Sequence, residues 1–408
     1  MLENRRYMIN ANVKIMKTRL LLAVLLAFVI MNVNAQTDYL IINDDIRLPE
    51  DSIVSVNLVN SLNGFLYSVK EDKDVDSWLV PDEKIETQIL TSEIQILLEN
   101  DTIEINPYLI DVEELSDKKS YSVRIAYISQ NDLQSPLKAI FEFITYEKEK
   151  KYLFASPLLR NTKEWKTKTD GYLVFHYQSI IAENISDQYI KITADYDKKL
   201  GINKMTEYYF CDDCKGLADL LHLAGIQYKV DYNGLSWPMT EFYVENKAIA
   251  LYGREMSRKE FVDPHDVFHA RASFAIPSNV RNHYMICGAA YVYGGSWGIS
   301  WIDIQNMFKE RMVYDKKTDW LKLYFDRYNF GKSQEEHLLV TQFINALLIE
   351  KIEKEHGFSA VMKLLSSGNM YRDKENFFKI LEDVTGVNEA NFNSKIRKII
   401  DDSLNNVY

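Results

Sequence analysis

The sequence predicts an α+β protein: a β-rich N-terminal module over residues 36–150, then a module over residues 151–408 that ends in helices. Three observations lead there. Between residues 37 and 150, short runs of β-branched and aromatic residues alternate with Asn, Asp, Gly and Pro turns. Beyond Tyr293 the apolar residues recur at i, i+3 and i+4, the period of an amphipathic helix. At 408 residues and 47% hydrophobic, the chain is long enough for two domains that each bury a core.

The N-terminal stretch "MKTRLLLAVLLAFVIMNVNAQ" begins at Met16 with Lys17 and Arg19, runs apolar from Leu20 and reaches "VNA" at Ala35. A basic start, a short apolar run and a small residue before the cut are the parts of a secretory signal, with residues 1–15 as an upstream extension. No Cys follows Ala35, which argues against a lipid anchor, and no second apolar run is long enough to span a bilayer. The expected mature protein is exported, periplasmic or extracellular, without stable membrane insertion. A net charge of −11 leaves no basic footprint for a nucleic-acid partner.

In the first module "SIVSVNLV", "GFLYSVK", "TSEIQILL", "DTIEINPYLI", "YSVRIAYI" and "KAIFEFITYE" all read as strands. This module carries no His and no Gly-rich phosphate loop, so it offers no chemistry. "KYLFASPLL", "GYLVFHY", "MTEYYF" and "IALYGREMS" continue as strands. "SDQYIKITADYDKKLGI" and "KGLADLLHLAGI" read as helices, the second stopped by Gly225. The C-terminal runs "SQEEHLLVTQFINALLIEKIEKEHG", "SAVMKLLSSG", "KENFFKILEDVTG" and "NFNSKIRKIIDDSLN" are amphipathic, most with Ser or Asn starts or Gly stops. Cys211 and Cys214, in "YYFCDDCKGL", are expected to form a local disulfide after export. The two intervening Asp would raise a thiol pKa, opposite to what a redox motif needs.

Chemistry concentrates in "DPHDVFHARASF", residues 263–274. His265 and His269 stand one helical turn apart, so both imidazoles leave one face, as in the HExxH zinc helix. Asp263 and Pro264 supply an N-cap and first helical residue. Thirteen residues beyond His269 begins "NHYMICGAAYVYGGSWGISW", a second helical run ending in a Gly-rich turn. His283 lies four before Cys287 on that run and is an alternative ligand to it. The aromatic residues Tyr291, Tyr293, Trp297 and Trp301 either line a groove or fill a core.

Taken together, "PHDVFH", "ICGAAYVYGG" and the helical tail resemble the gluzincin, or peptidase-MA-like, zinc metallopeptidases, over roughly residues 160–400. In that family an HExxH helix is followed by an EGxAxY-type helix with a GG turn. The resemblance implies Zn²⁺ held by His265, His269 and Cys287, with Asp266 as the base and a peptide or protein as substrate. The chain departs from the pattern at three letters: the base Glu falls on Asp266, the third-ligand Glu on Cys287 and the Tyr on Val292. Asp withdraws the carboxylate by about 1.5 Å relative to Glu, and a misplacement near 1 Å can cost on the order of 100-fold in rate. Thiolate is a good zinc ligand, although Cys287 can equally be a small buried residue. The rival expectation is a catalytically degenerate, peptidase-like envelope protein that acts as a binding or scaffold module.

Overall fold

The computed structural model describes residues 39–99, 104–132, 134–178, 183–235, 239–244, 246–254, 262–296, 298–312, 314–331 and 337–405. The secretory-signal segment and Trp297 lie outside these. The chain is mixed α+β, as the sequence predicts. It divides into two compact units, one up to Ser156 and one from Pro157.

The first unit sets two helices, α1 (Ser52–Glu71) and α2 (Lys84–Leu98), beside a sheet. The strands are β1 (Ile41–Ile42), β2 (Ile105–Glu114), β3 (Ser120–Ser129), β4 (Leu137–Lys148) and β5 (Lys151–Ala155), paired in that order. "SIVSVNLV" and "GFLYSVK", expected as strands, form the single helix α1, and "TSEIQILL" belongs to α2. The reason is visible in burial. Leu58, Leu62, Phe65, Leu66 and Val69 are buried at helical spacing, whereas Ile53 and Val56, which gave the start its alternating look, are 67% and 56% exposed. Asp51 starts the helix by accepting from the backbone N–H of Ile53 and Val54. Phe65 stacks on Phe154 of β5 at 4.3 Å, so the helix packs its apolar stripe on the sheet.

The second unit has a five-stranded sheet made of β6 (Lys166–Asp170), β7 (Leu173–Tyr177), β8 (Met205–Phe210), β9 (Met239–Val244) and β10 (Lys247–Tyr252). Spatial order is β9-β10-β8-β7-β6, with β8 parallel to both β7 and β10 and an antiparallel hairpin at each edge. Helix α3 (Glu183–Leu200) makes the crossover from β7 to β8, and α4 (Leu217–Ala224) follows β8. Alternation along the strands puts Phe175, Tyr208, Phe210, Ala250 and Tyr252 into one core, with Tyr189 and Tyr196 from α3. Cys211 and Cys214 are joined in a disulfide just after β8.

Helices α5 (Pro264–Ala275) and α6 (His283–Gly294) pack against each other and, with α3 and the sheet, share this core. The tail is α7 (Trp301–Arg311), α8 (Trp320–Phe325), α9 (Val340–His356), α10 (Phe358–Leu365), α11 (Lys374–Thr385) and α12 (Phe392–Asn405). Gly288 on α6 explains the close seat on α9: a Cβ there would lie 2.4 Å from Asn345 Cβ and 2.9 Å from the Ala346 nitrogen. That glycine therefore serves helix packing. Among the described residues no helix is long and apolar enough to cross a membrane.

Candidate metal centre

Helix α5 begins where the sequence places it. Asp263 is the N-cap, its carboxylate accepting from the His265 N–H at 2.9 Å, and Pro264 follows. From that start the helix presents His265 and His269 one turn apart, with ring centroids 4.9 Å from each other. Helix α6 is fixed at its start by Asn282, whose side chain accepts from the Met285 N–H at 3.1 Å and donates to Ser367 Oγ at 2.9 Å. His283 is the first residue of α6 and Cys287 lies one turn on, with Sγ 3.6 Å from His283 Nε2.

Where the two helices meet, ligand atoms of His269, His283 and Cys287 all lie within 4.8 Å of one another. His269 comes from α5; the other two come from α6. His265 belongs to no such triple among the described residues. Its Nδ1 is 2.6 Å from the Gly295 carbonyl oxygen, which can only accept, so Nδ1 carries a proton. Gly294 lets this contact form, because a Cβ there would meet the His265 nitrogen at 2.4 Å.

Burial favours the neutral forms of all three side chains. Burial, with the neighbouring His265 and His283, pushes His269 down to about 3. His283 reaches the surface, yet desolvation of its ring and the nearby Arg281, Arg327 and His265 lower its pKa as well. Burial pushes the Cys287 thiol up to about 12, against a hydrogen bond from Gln342 and the charge of Arg327. An inert, protonated thiol does not suit Cys287 as a free nucleophile; a metal must displace its proton.

Asp266 is exposed on the adjoining face of α5. Its charge acts on Tyr189 and on Glu241 of β9, whose carboxyl is raised by burial while accepting from Tyr243 and Tyr252. Of the aromatic residues considered for a groove, Tyr291 and Trp301 are buried in the core, and the Tyr291 hydroxyl donates to Gln342 Oε1 at 2.7 Å. Tyr293 is half-buried and donates to Glu353.

The structure thus joins two of the residues that the motif singles out, His269 and Cys287, with His283. Sequence reasoning did not find Arg281, Arg327, Gln342 or Glu241. No spacing signal marks them, since each reaches the region from a different loop or element. No protein-family model matches this chain, and no curated protein matches it at a significant level.

The donor set suits zinc by its chemistry: two neutral imidazoles and one thiol that ionises on binding. Zinc bonds of about 2.0–2.3 Å put tetrahedral ligand atoms roughly 3.5 Å apart. The 4.8 Å limit on the present separations leaves about 1 Å to close, within the reach of side-chain rotation.

Proposed function

We propose that this chain is an exported, zinc-dependent hydrolase of peptide bonds with a gluzincin-like build, its Zn²⁺ held by His269, His283 and Cys287. The observation that carries the reading is the mutual approach of those three ligand atoms at the junction of α5 and α6. Three protein ligands with one side toward solvent is the arrangement of catalytic zinc sites, whereas structural sites close with four. Zinc in such a site supplies a water of lowered pKa and polarises a carbonyl.

The chain's own residues divide the remaining work. His265 is held at Nδ1 by the Gly295 carbonyl and stands against His269, a placement from which an imidazole can accept a proton. It takes this role in place of Asp266, the base that the family resemblance implies. Buried Cys287 balances one of the metal's charges, and Gly288 and Asn282 fix the helix that carries it. Export is supported by the signal-like N-terminal segment and by the Cys211–Cys214 disulfide, since disulfides persist in oxidising compartments.

A second reading, a peptidase-like binding module without turnover, draws on one observation: Asp266 is exposed, and its charge acts on Glu241 and Tyr189. A zinc-loaded protein assayed on a mixed peptide library separates the two. The hydrolase reading expects cleavage that a chelator abolishes and that His265→Ala reduces by about 100-fold or more with zinc retained. Full zinc occupancy with no cleaved peptide would leave the binding module.

A further inference from the structure

We propose that the solvent side of this centre takes a ligand bearing a free carboxylate, and that Arg327 is the positioning residue that pairs with it. The proposal rests on the metal-centre reading above and names the ligand class of that same site. Arg327 follows α8 in a turn and is exposed. Its guanidinium lies over the Tyr284 ring, 5.6 Å from the centroid, and Tyr284 in turn contacts the ring of its neighbour His283 at 6.1 Å. Tyr371 backs the same shelf at 4.7 Å from Tyr284. An aromatic platform one residue from a candidate ligand therefore carries a cation.

One further observation favours an anion there: Arg327 has no ion pair or hydrogen bond among the described residues, and the adjacent Asp326 is paired with Lys322 at 3.2 Å. The other guanidinium nearby, Arg281, is committed to the Ser273 and Ile276 carbonyls that end α5.

A zinc with one thiolate and two neutral imidazoles keeps a net positive charge, which Arg327 reinforces. The planar guanidinium fork matches a carboxylate with two parallel hydrogen bonds, so a carboxylate on Arg327 would leave a neighbouring carbonyl of the same ligand free to face the metal. A peptide's C-terminus and a small organic acid share this chemistry.

The test uses the full chain loaded with Co²⁺, whose visible spectrum reports changes at the metal. Three probes are titrated: an N-acetylated dipeptide with a free carboxylate, the same dipeptide as its C-terminal amide, and acetate. The acid should bind about tenfold more tightly than the amide. Arg327→Gln should abolish that preference without changing Co²⁺ uptake, and Arg327→Lys should restore part of it. Acetate binding as tightly as the dipeptide acid would support a small acid as the source, and weaker acetate binding a peptide C-terminus. Equal binding of acid and amide, no binding of any probe, or a preference that survives Arg327→Gln would overturn the proposal while Co²⁺ uptake leaves the metal reading standing. A chain that takes up no Co²⁺ would sink the metal reading and this proposal with it.

Discussion

His269 and Arg271 lie two residues apart on α5, and their surroundings differ in kind. Arg271 is 2% exposed, and its guanidinium makes three hydrogen bonds: Nε donates to Asp197 Oδ1 at 2.6 Å, Nη2 to Asp197 Oδ2 at 3.0 Å and Nη1 to Thr206 Oγ1 at 2.5 Å. This buried charge ties α5 to α3 and β8. His269 makes no hydrogen bond to a described residue; around it stand other nitrogen and sulfur donors, His265, His283 and Cys287. Nitrogen and sulfur donors gathered at one point, with His283 open to solvent, make a candidate place for a metal ion. The ion-paired group is architecture and the donor cluster is the candidate site.

That contrast can be broken at its strongest point. Replacing Arg271 with Met removes one partner of a buried ion pair and leaves Asp197 uncompensated. Urea denaturation should show a loss of about 3–5 kcal/mol. A loss under about 1 kcal/mol would mean that the Arg271 network is not the support described.

A smaller effect sharpens the other side. Burial holds His269 near 3 in the folded, metal-free chain, below the 6.5 of an ordinary His. As pH falls through about 6.5, the unfolded chain takes up the proton and the folded chain does not. Stability contributed by neutral His269 is therefore complete above that pH and declines between about 6.5 and 3. Denaturation midpoints of the chelator-treated protein at several pH values should show this decline, and His269→Gln should flatten it. Parallel pH profiles for the two proteins would remove His269 from the account.

What the sequence made legible follows the range of the interactions involved. Caps and one-turn spacings are local, so Asp263, Pro264 and the His265–His269 pair are placed correctly, and His283 and Cys287 stand one turn apart on α6 as their spacing requires. Helix α1 was hidden because exposed Ile53 and Val56 mimic a strand's alternation, and only tertiary burial of Leu62 and Phe65 reveals the helical stripe. The donor cluster was only partly legible: spacing gave His283 as a substitute for Cys287, whereas packing of α5 on α6 brings both to His269. Arg327 reaches its place from the turn after α8, a long-range contact without a local signal. Asp266 sits at the motif position of a base, but its electrostatic partner Glu241 comes from the edge strand β9, which no motif reveals.

The central claim is that His283, and not His265, completes the metal site with His269 and Cys287. Elemental analysis of the purified protein and four single variants, after equilibration with zinc and removal of the excess, tests it most directly. The account predicts close to one zinc per chain in the parent, its loss in His269→Ala, His283→Ala and Cys287→Ser, and its retention in His265→Ala. Zinc kept by His283→Ala but lost by His265→Ala would contradict the account in favour of the family-type triad, and a parent chain that holds no zinc would contradict the site altogether.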